Sequence, residues 1–113
     1  MNNAIKKILS IVFVFSTICF AAFSFAADDI WIDVRSDKEW NSGHLDGAVH
    51  IPHTEITEKI VSLTDDKNAP IKLYCRSGGR AGIAKKELEK MGYKNVTNVG
   101  GLKDAEEAAK KAE

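Results

Sequence analysis

The chain has 113 residues, 44% of them hydrophobic and 28% charged, with 16 basic and 16 acidic side chains. That length allows one domain, and the balanced charge excludes a nucleic-acid binder, which would present a basic face. At the N-terminus Lys6 and Lys7 precede a largely apolar run, Ile8 to Phe23, and Ser24-Phe25-Ala26 puts small residues where a leader peptidase cuts. This order predicts a secretory signal peptide over 1–26. The alternatives fit less well. A membrane anchor wants about 20 strongly apolar residues, and Ser10, Ser16 and Thr17 interrupt this run. A lipoprotein would want a small residue before Cys19, where Ile18 stands. Cleavage after Ala26 leaves 87 residues with 14 basic and 16 acidic side chains, a periplasmic domain with no membrane contact once the leader is gone.

The rest of the chain alternates strand and helix signals. "DIWIDV" (29–34) is alternating and β-branched and predicts a strand. Ser36 with Glu39 three residues on is a capping box opening a short helix to about Asn41. A short strand follows at Ala48–Ile51, stopped by Pro52, and Thr54 is the expected N-cap of a second helix with Ile56, Ile60 and Leu63 on one face. "IKLY" (71–74) is a third strand. After "CRSGGR" (75–80), Ala81, Ala84, Leu88 and Met91 mark one helical face, and Gly92 suits the position past its end. "NVTNV" (95–99) is the last strand, and a final helix is expected from about Lys103, with i,i+4 pairs Glu106–Lys110 and Glu107–Lys111 on its solvated side. The fold class implied is α/β, a small and mostly parallel sheet flanked by helices.

Once the leader is gone, Cys75 is the one cysteine left, so no internal disulfide can form. An unpaired cysteine in an exported domain is either buried and inert or a reactive thiol. Its neighbours favour reactivity. Cys75 ends a strand and the following loop feeds a helix, which is where open α/β sheets place ligands. Gly78 and Gly79 can take positive φ at no steric cost, which lets successive backbone N–H groups converge on one point. The helix N-terminus, Arg76 and Arg80 add positive potential. Such surroundings lower a thiol pKa from about 8.5 to roughly 3.5–7.5.

With these residues in view, the chain resembles the rhodanese (thiosulfate sulfurtransferase) family, in its small single-domain exported form. The likeness is carried by "IDVR" (32–35), "EWNSGHLDGAVHIP" (39–52), "LYCRSGGRA" (73–81) and "VTNVGGL" (96–102), in the family's order and spacing. The resemblance implies a domain over 27–113. It makes Cys75 the catalytic nucleophile, and Arg76, Ser77, Gly78, Gly79 and Arg80 the substrate-binding loop. It also implies transfer of a sulfane sulfur from thiosulfate to cyanide or a thiol through a Cys75 persulfide, with ping-pong kinetics and no cofactor. A dithiol protein is a further acceptor consistent with it. Arg76 is expected to attract thiosulfate or the departing sulfite. Arg80 is expected to brace the loop against a carboxylate, with Asp33 and Glu39 as the candidates.

Two rivals stand beside this reading. Cysteine-dependent phosphatases and arsenate reductases also cradle a thiolate in amides closed by arginine, but with five residues between cysteine and arginine where this chain has four. A binding or sulfur-delivery module would share the fold without turnover, yet Cys75, Arg76 and both glycines are present. His44, His50 and His53 lack a recognised metal-ligand spacing and are expected to make structural hydrogen bonds, His44 by tying its own turn. Asp33 and Arg35 are expected to form a structural ion pair in support of the site. Trp31, Trp40 and Tyr74 are expected to pack.

Overall fold

The computed structural model describes residues 28–111. The expected signal peptide and Cys19 lie outside them. Four strands, β1 (Ile30–Asp33), β2 (Val49–His50), β3 (Ile71–Cys75) and β4 (Val96–Gly101), form one sheet in the order β2-β1-β3-β4. All three strand pairings are parallel. Helices α1 (Asp37–Asn41), α2 (Ile56–Leu63), α3 (Gly79–Lys90) and α4 (Leu102–Lys111) connect or follow them. Among the described residues no helix is long and apolar enough to cross a membrane.

Side chains alternate across the strands, so each strand feeds two faces. Ile32, Val34, Ile71, Leu73 and Cys75 join Ile56 and Ile60 of α2 and Ala81, Ala84 and Leu88 of α3 in the main buried cluster. Tyr74 and partly buried Trp31 belong to the smaller cluster with Leu45, Leu102 and Ala105, which seats α4. Burial of this kind is worth about 25 cal/mol per Å² of apolar surface. It holds β3, and therefore Cys75, between two helical layers.

The capping box at Ser36 forms as expected. The Ser36 hydroxyl accepts from the Glu39 amide, and the Glu39 carboxylate accepts from the Ser36 amide. At the other end of the domain α3 stops at a Schellman turn. Gly92 adopts φ +99°, its N–H donates to Glu89 and the Tyr93 N–H donates to Leu88. Two expectations are corrected. Thr54 caps nothing: a 3₁₀ turn, His53–Glu55, intervenes, closed by the Glu55 N–H on the Pro52 carbonyl at 2.8 Å, and α2 opens only at Ile56. The i,i+4 pairs on α4 are not closed, while Lys59–Glu55 and Lys90–Glu87 are surface pairs that do form.

Between Leu73 and Tyr74 the β3–β4 register slips. Leu73 faces Asn98 but Tyr74 faces Gly100, so Val99 is an extra residue. Such a bulge re-aims the residues beyond it. It brings Gly101 beside Cys75, and a Cβ at Gly101 would lie 2.6 Å from the Arg76 carbonyl oxygen. Only glycine allows β4 to approach the first residue of the loop this closely.

Candidate active site

Cys75 is a free thiol at the carboxyl end of β3, 1% exposed. Residues 76–78 bend directly into α3. Gly78 takes φ +99° and serves as the N-cap of α3, with no side chain capping the helix. The unfilled N-terminus is turned on the sulfur instead: the Gly78 N–H donates to Cys75 Sγ at 2.9 Å. Burial pushes the Cys75 thiol up, but the backbone amides of Ala81, Ser77, Gly78 and Arg80 outweigh it and hold the thiol below its ordinary range. A sulfur anion there is solvated by peptide dipoles rather than by water.

The fold settles two details of that potential. Gly78 has a positive φ, whereas Gly79 does not and is the first residue of α3. One left-handed residue suffices because the helix itself supplies the remaining amides. Arg80 is paired away: its Nη1 and Nη2 donate to Glu39 Oε1 and Oε2 at 2.6 and 2.9 Å. Of the two candidate carboxylates Glu39 is therefore its partner. Arg80 and Ser36 together draw the Glu39 pKa down to about 2, against a smaller opposing effect of burial. The Arg80 guanidinium is raised in turn. Glu39 thus ties α1, through its capping box, to the first turn of α3.

Asp33 is occupied by Arg35. Arg35 Nε lies 3.0 Å from both carboxylate oxygens, Nη2 lies 2.7 Å from Oδ2, and the Arg35 N–H donates to Oδ1 at 2.9 Å. Both residues are buried, and Arg35 Nη2 also donates to the Gly43 carbonyl at 2.6 Å. This is the expected structural ion pair. It pins the turn before β2 to the end of β1.

His44 and His50 make structural hydrogen bonds. His44 Nδ1 donates to the Trp40 carbonyl at 3.0 Å, and its ring stacks on Trp40 at 3.4 Å. His50 Nε2 donates to the Arg35 carbonyl at 2.8 Å. Among the described residues no three His, Cys, Asp or Glu side chains gather as a metal site would. Tyr74 packs, as expected, and its hydroxyl accepts the Leu45 N–H at 3.0 Å.

Asn98 is a supporting residue that the sequence motifs do not single out. Its Nδ2 donates to the Gly78 carbonyl at 2.8 Å and its Oδ1 accepts the Gly100 N–H at 3.1 Å. It lies inside "VTNVGGL" (96–102), but nothing in that motif sets it apart from its neighbours. Beside the loop opens a groove of about 510 Å³ lined by Arg35, Arg76, Gly101, Leu102, Lys103 and Asp104. Arg76 and Ser77 are exposed, whereas Arg80 is half-buried and held by Glu39.

Residues 21–108 match the model of the rhodanese-like domain. The chain is 42% identical over 99 residues to the thiosulfate sulfurtransferase PspE of Escherichia coli, an alignment covering 88% of this chain and 89% of that one. A solved rhodanese from Escherichia coli, determined with anions, is similar at 44% identity and TM-score 0.66, over 68% of this chain and 91% of that one. A human single-domain sulfurtransferase shares the fold at TM-score 0.60 and 22% identity, over 70% of this chain and 81% of its own. By fold, by family match and by identity over most of its length, the chain belongs to the rhodanese-like domain family.

Proposed function

We propose that this sulfurtransferase takes the outer sulfur of thiosulfate onto Cys75 and passes it to cyanide or a thiol. The observation that carries the reading is the Gly78 N–H placed 2.9 Å from Sγ, at the uncapped start of α3. The Cys75 thiolate attacks the outer sulfur of thiosulfate, the S–S bond breaks and sulfite leaves with the electron pair. Cys75 then carries a persulfide. An acceptor anion attacks its terminal sulfur, and the Cys75 thiolate is the leaving group. Each half-reaction begins or ends with negative charge on sulfur, so the same amides serve both, as oxyanion donors serve oxygen.

In this reading Arg76 attracts the thiosulfate dianion and steadies the departing sulfite. Ser77, Gly78 and Gly79 supply the wall of the loop, and Arg80 holds its shape through Glu39. That the relative PspE is a thiosulfate sulfurtransferase supports thiosulfate as donor.

Export is part of the proposal. Residues 1–26 direct the chain to the periplasm, and the mature protein begins at Ala27. A persulfide at rest would shield the lone thiol from mixed disulfides there.

Mass spectrometry with steady-state kinetics tests the reading. Thiosulfate adds about 32 Da to the wild type and nothing to Cys75→Ser. Double-reciprocal plots across acceptor concentrations run parallel. A wild type that takes up no sulfur, or that releases phosphate from a phosphomonoester faster than it transfers sulfur, overturns the assignment. N-terminal sequencing of protein recovered from the periplasm tests the leader: a first residue other than Ala27 overturns that boundary.

A further inference from the structure

Side chains hold the end of β4. Its last two residues each give their N–H to a side-chain oxygen, Gly100 to Asn98 Oδ1 at 3.1 Å and Gly101 to Asp104 Oδ2 at 2.8 Å. Asp104 stands in the first turn of α4 and is the acid of that turn. A carboxylate there that reaches back to the backbone N–H before the helix is half of a capping box. The other half is missing, because Gly101 has no side chain to return the bond. The bare Cα atoms also make room for the carboxylate. A Cβ would stand 2.6 Å from Oδ2 at Gly100 and 3.5 Å from it at Gly101.

Gly101 is where β4 meets both the nucleophile and its loop. It is paired with Cys75 across the sheet, and a Cβ on it would fall 2.6 Å from the Arg76 carbonyl oxygen. That carbonyl and the Ser77 N–H belong to one planar peptide. Seating the oxygen on Gly101 therefore orients the Ser77 N–H, one of the amides that hold the Cys75 thiol down. Asn98 restrains the same loop further along, at the Gly78 carbonyl. Asp104 is exposed and closes no ion pair among the described residues. A negative charge near the sulfur disfavours a thiolate, so what Asp104 contributes is the bond it accepts.

We propose that Asp104 is a positioning residue for sulfur transfer: by holding the Gly101 N–H it seats the Arg76–Ser77 peptide and so aims the Ser77 N–H at Cys75 Sγ. The proposal rests on Cys75 as the sulfur carrier.

Substitution separates the bond from the charge. Asp104→Asn keeps an acceptor oxygen for the Gly101 N–H and loses the charge, whereas Asp104→Ala loses both. Loss of the charge favours the thiolate and loss of the bond disfavours it, so the two effects differ in sign. Asp104 is exposed on the last helix and alanine suits a helix, so the Ala variant is expected to fold. Each protein is checked for sulfur uptake from thiosulfate, alkylated with iodoacetamide across a pH series and assayed for sulfur transfer. Asp104→Ala is expected to alkylate with a midpoint about 0.5 pH unit above wild type. It should lose kcat about fivefold, with KM for thiosulfate no higher. Asp104→Asn should have a midpoint at or below wild type and keep kcat within about twofold. Ala105→Gly loosens the same helix without touching Gly101. It should melt lower and keep the wild-type alkylation profile. An Asp104→Ala midpoint at or below that of wild type overturns the proposal, and so does a rise in Ala105→Gly equal to the rise in Asp104→Ala. Failure of the wild type to take up sulfur overturns the carrier reading, and Asp104's part in sulfur transfer with it, whatever the alkylation midpoints are.

Discussion

Glu39 and Arg80 stand 41 residues apart in sequence and meet through two hydrogen bonds of 2.6 and 2.9 Å. The same carboxylate closes the capping box of α1 at Ser36. One side chain therefore fixes a helix start and the loop after the nucleophile. Arg80 could not hold the loop in this way if it were also the residue that greets the substrate. The division of labour between Arg76, which is exposed, and Arg80, which is paired, comes from that contact.

Glu39→Gln is predicted to lower kcat/KM about tenfold through loss of loop geometry and to lower stability at pH 7 by about 1 kcal/mol. The pH dependence has a definite sign. The folded-state pKa of Glu39 is about 2, below its ordinary value, so the carboxylate stabilises the fold above about 4.3 and loses that contribution as pH falls toward 2. Thermal melts of wild type and variant should converge on acidification through this window. A gap that stays constant from pH 5 to pH 2 would count against the ion pair as the source.

Much of this arrangement is legible in the sequence because it is local. The Ser36–Glu39 box, the strand ending at Cys75 and Gly92 past α3 each depend on residues a few positions apart, and each forms as expected. What escaped depends on tertiary register. The role of Asn98 exists only because the bulge at Val99 sets β4 against the loop. Gly79 looks identical to Gly78 in the sequence, and only the start of α3 distinguishes them. The Asp33–Arg35 pair was itself legible, being two residues apart, but that Glu39 reaches Arg80 across 41 residues was not.

Asn98 offers a separable test of loop support. Asn98→Asp retains an acceptor for the Gly100 N–H but cannot donate to the Gly78 carbonyl, whereas Asn98→Ala loses both bonds. Each lost bond costs about 1 kcal/mol. Both variants should raise the pH at which Cys75 reacts with iodoacetamide, since both remove one of two restraints on the Gly78 carbonyl and leave only the Gly82 N–H at 2.9 Å. Asn98→Ala should in addition melt lower than Asn98→Asp at neutral pH. An alkylation profile identical to wild type in both would remove Asn98 from the support of the thiolate.

Tyr74 adjoins the nucleophile but faces the opposite layer, in the cluster with Leu45 and Ala105. Burial, first among the causes, raises its pKa to about 12. The neutral phenol is therefore the form the fold favours, and stability is expected to fall as pH rises from about 10 toward 12. Tyr74→Phe leaves the Leu45 N–H without its partner and is predicted to cost roughly 1–3 kcal/mol, read as a lower denaturation midpoint with unchanged slope. It should also abolish the alkaline decline. Sulfur transfer per folded molecule should stay within about twofold of wild type, and a loss of a hundredfold would show that the neighbour of the cysteine takes part in the chemistry.

The two adjacent glycines give the sharpest comparison, because alanine at each adds the same methyl group. At Gly78 a Cβ would meet only ordinary contacts, 3.6 Å to Gly100 and 3.7 Å to Asn98, but the residue sits at φ +99°. The penalty is therefore conformational, about 1–2 kcal/mol, and the backbone relieves it by rotating the N–H away from Sγ. At Gly79 nothing lies within 4 Å of the added atom and φ is ordinary. Alanine there restricts the unfolded chain and suits a helix, for a gain of about 0.4–1 kcal/mol. Gly78→Ala should melt lower, alkylate at higher pH and lose kcat/KM by at least about tenfold. Gly79→Ala should melt no lower than wild type and keep its alkylation profile. If the two variants lost thiolate character equally, the sulfur would be held by the loop's general compactness rather than by the Gly78 amide aimed at it.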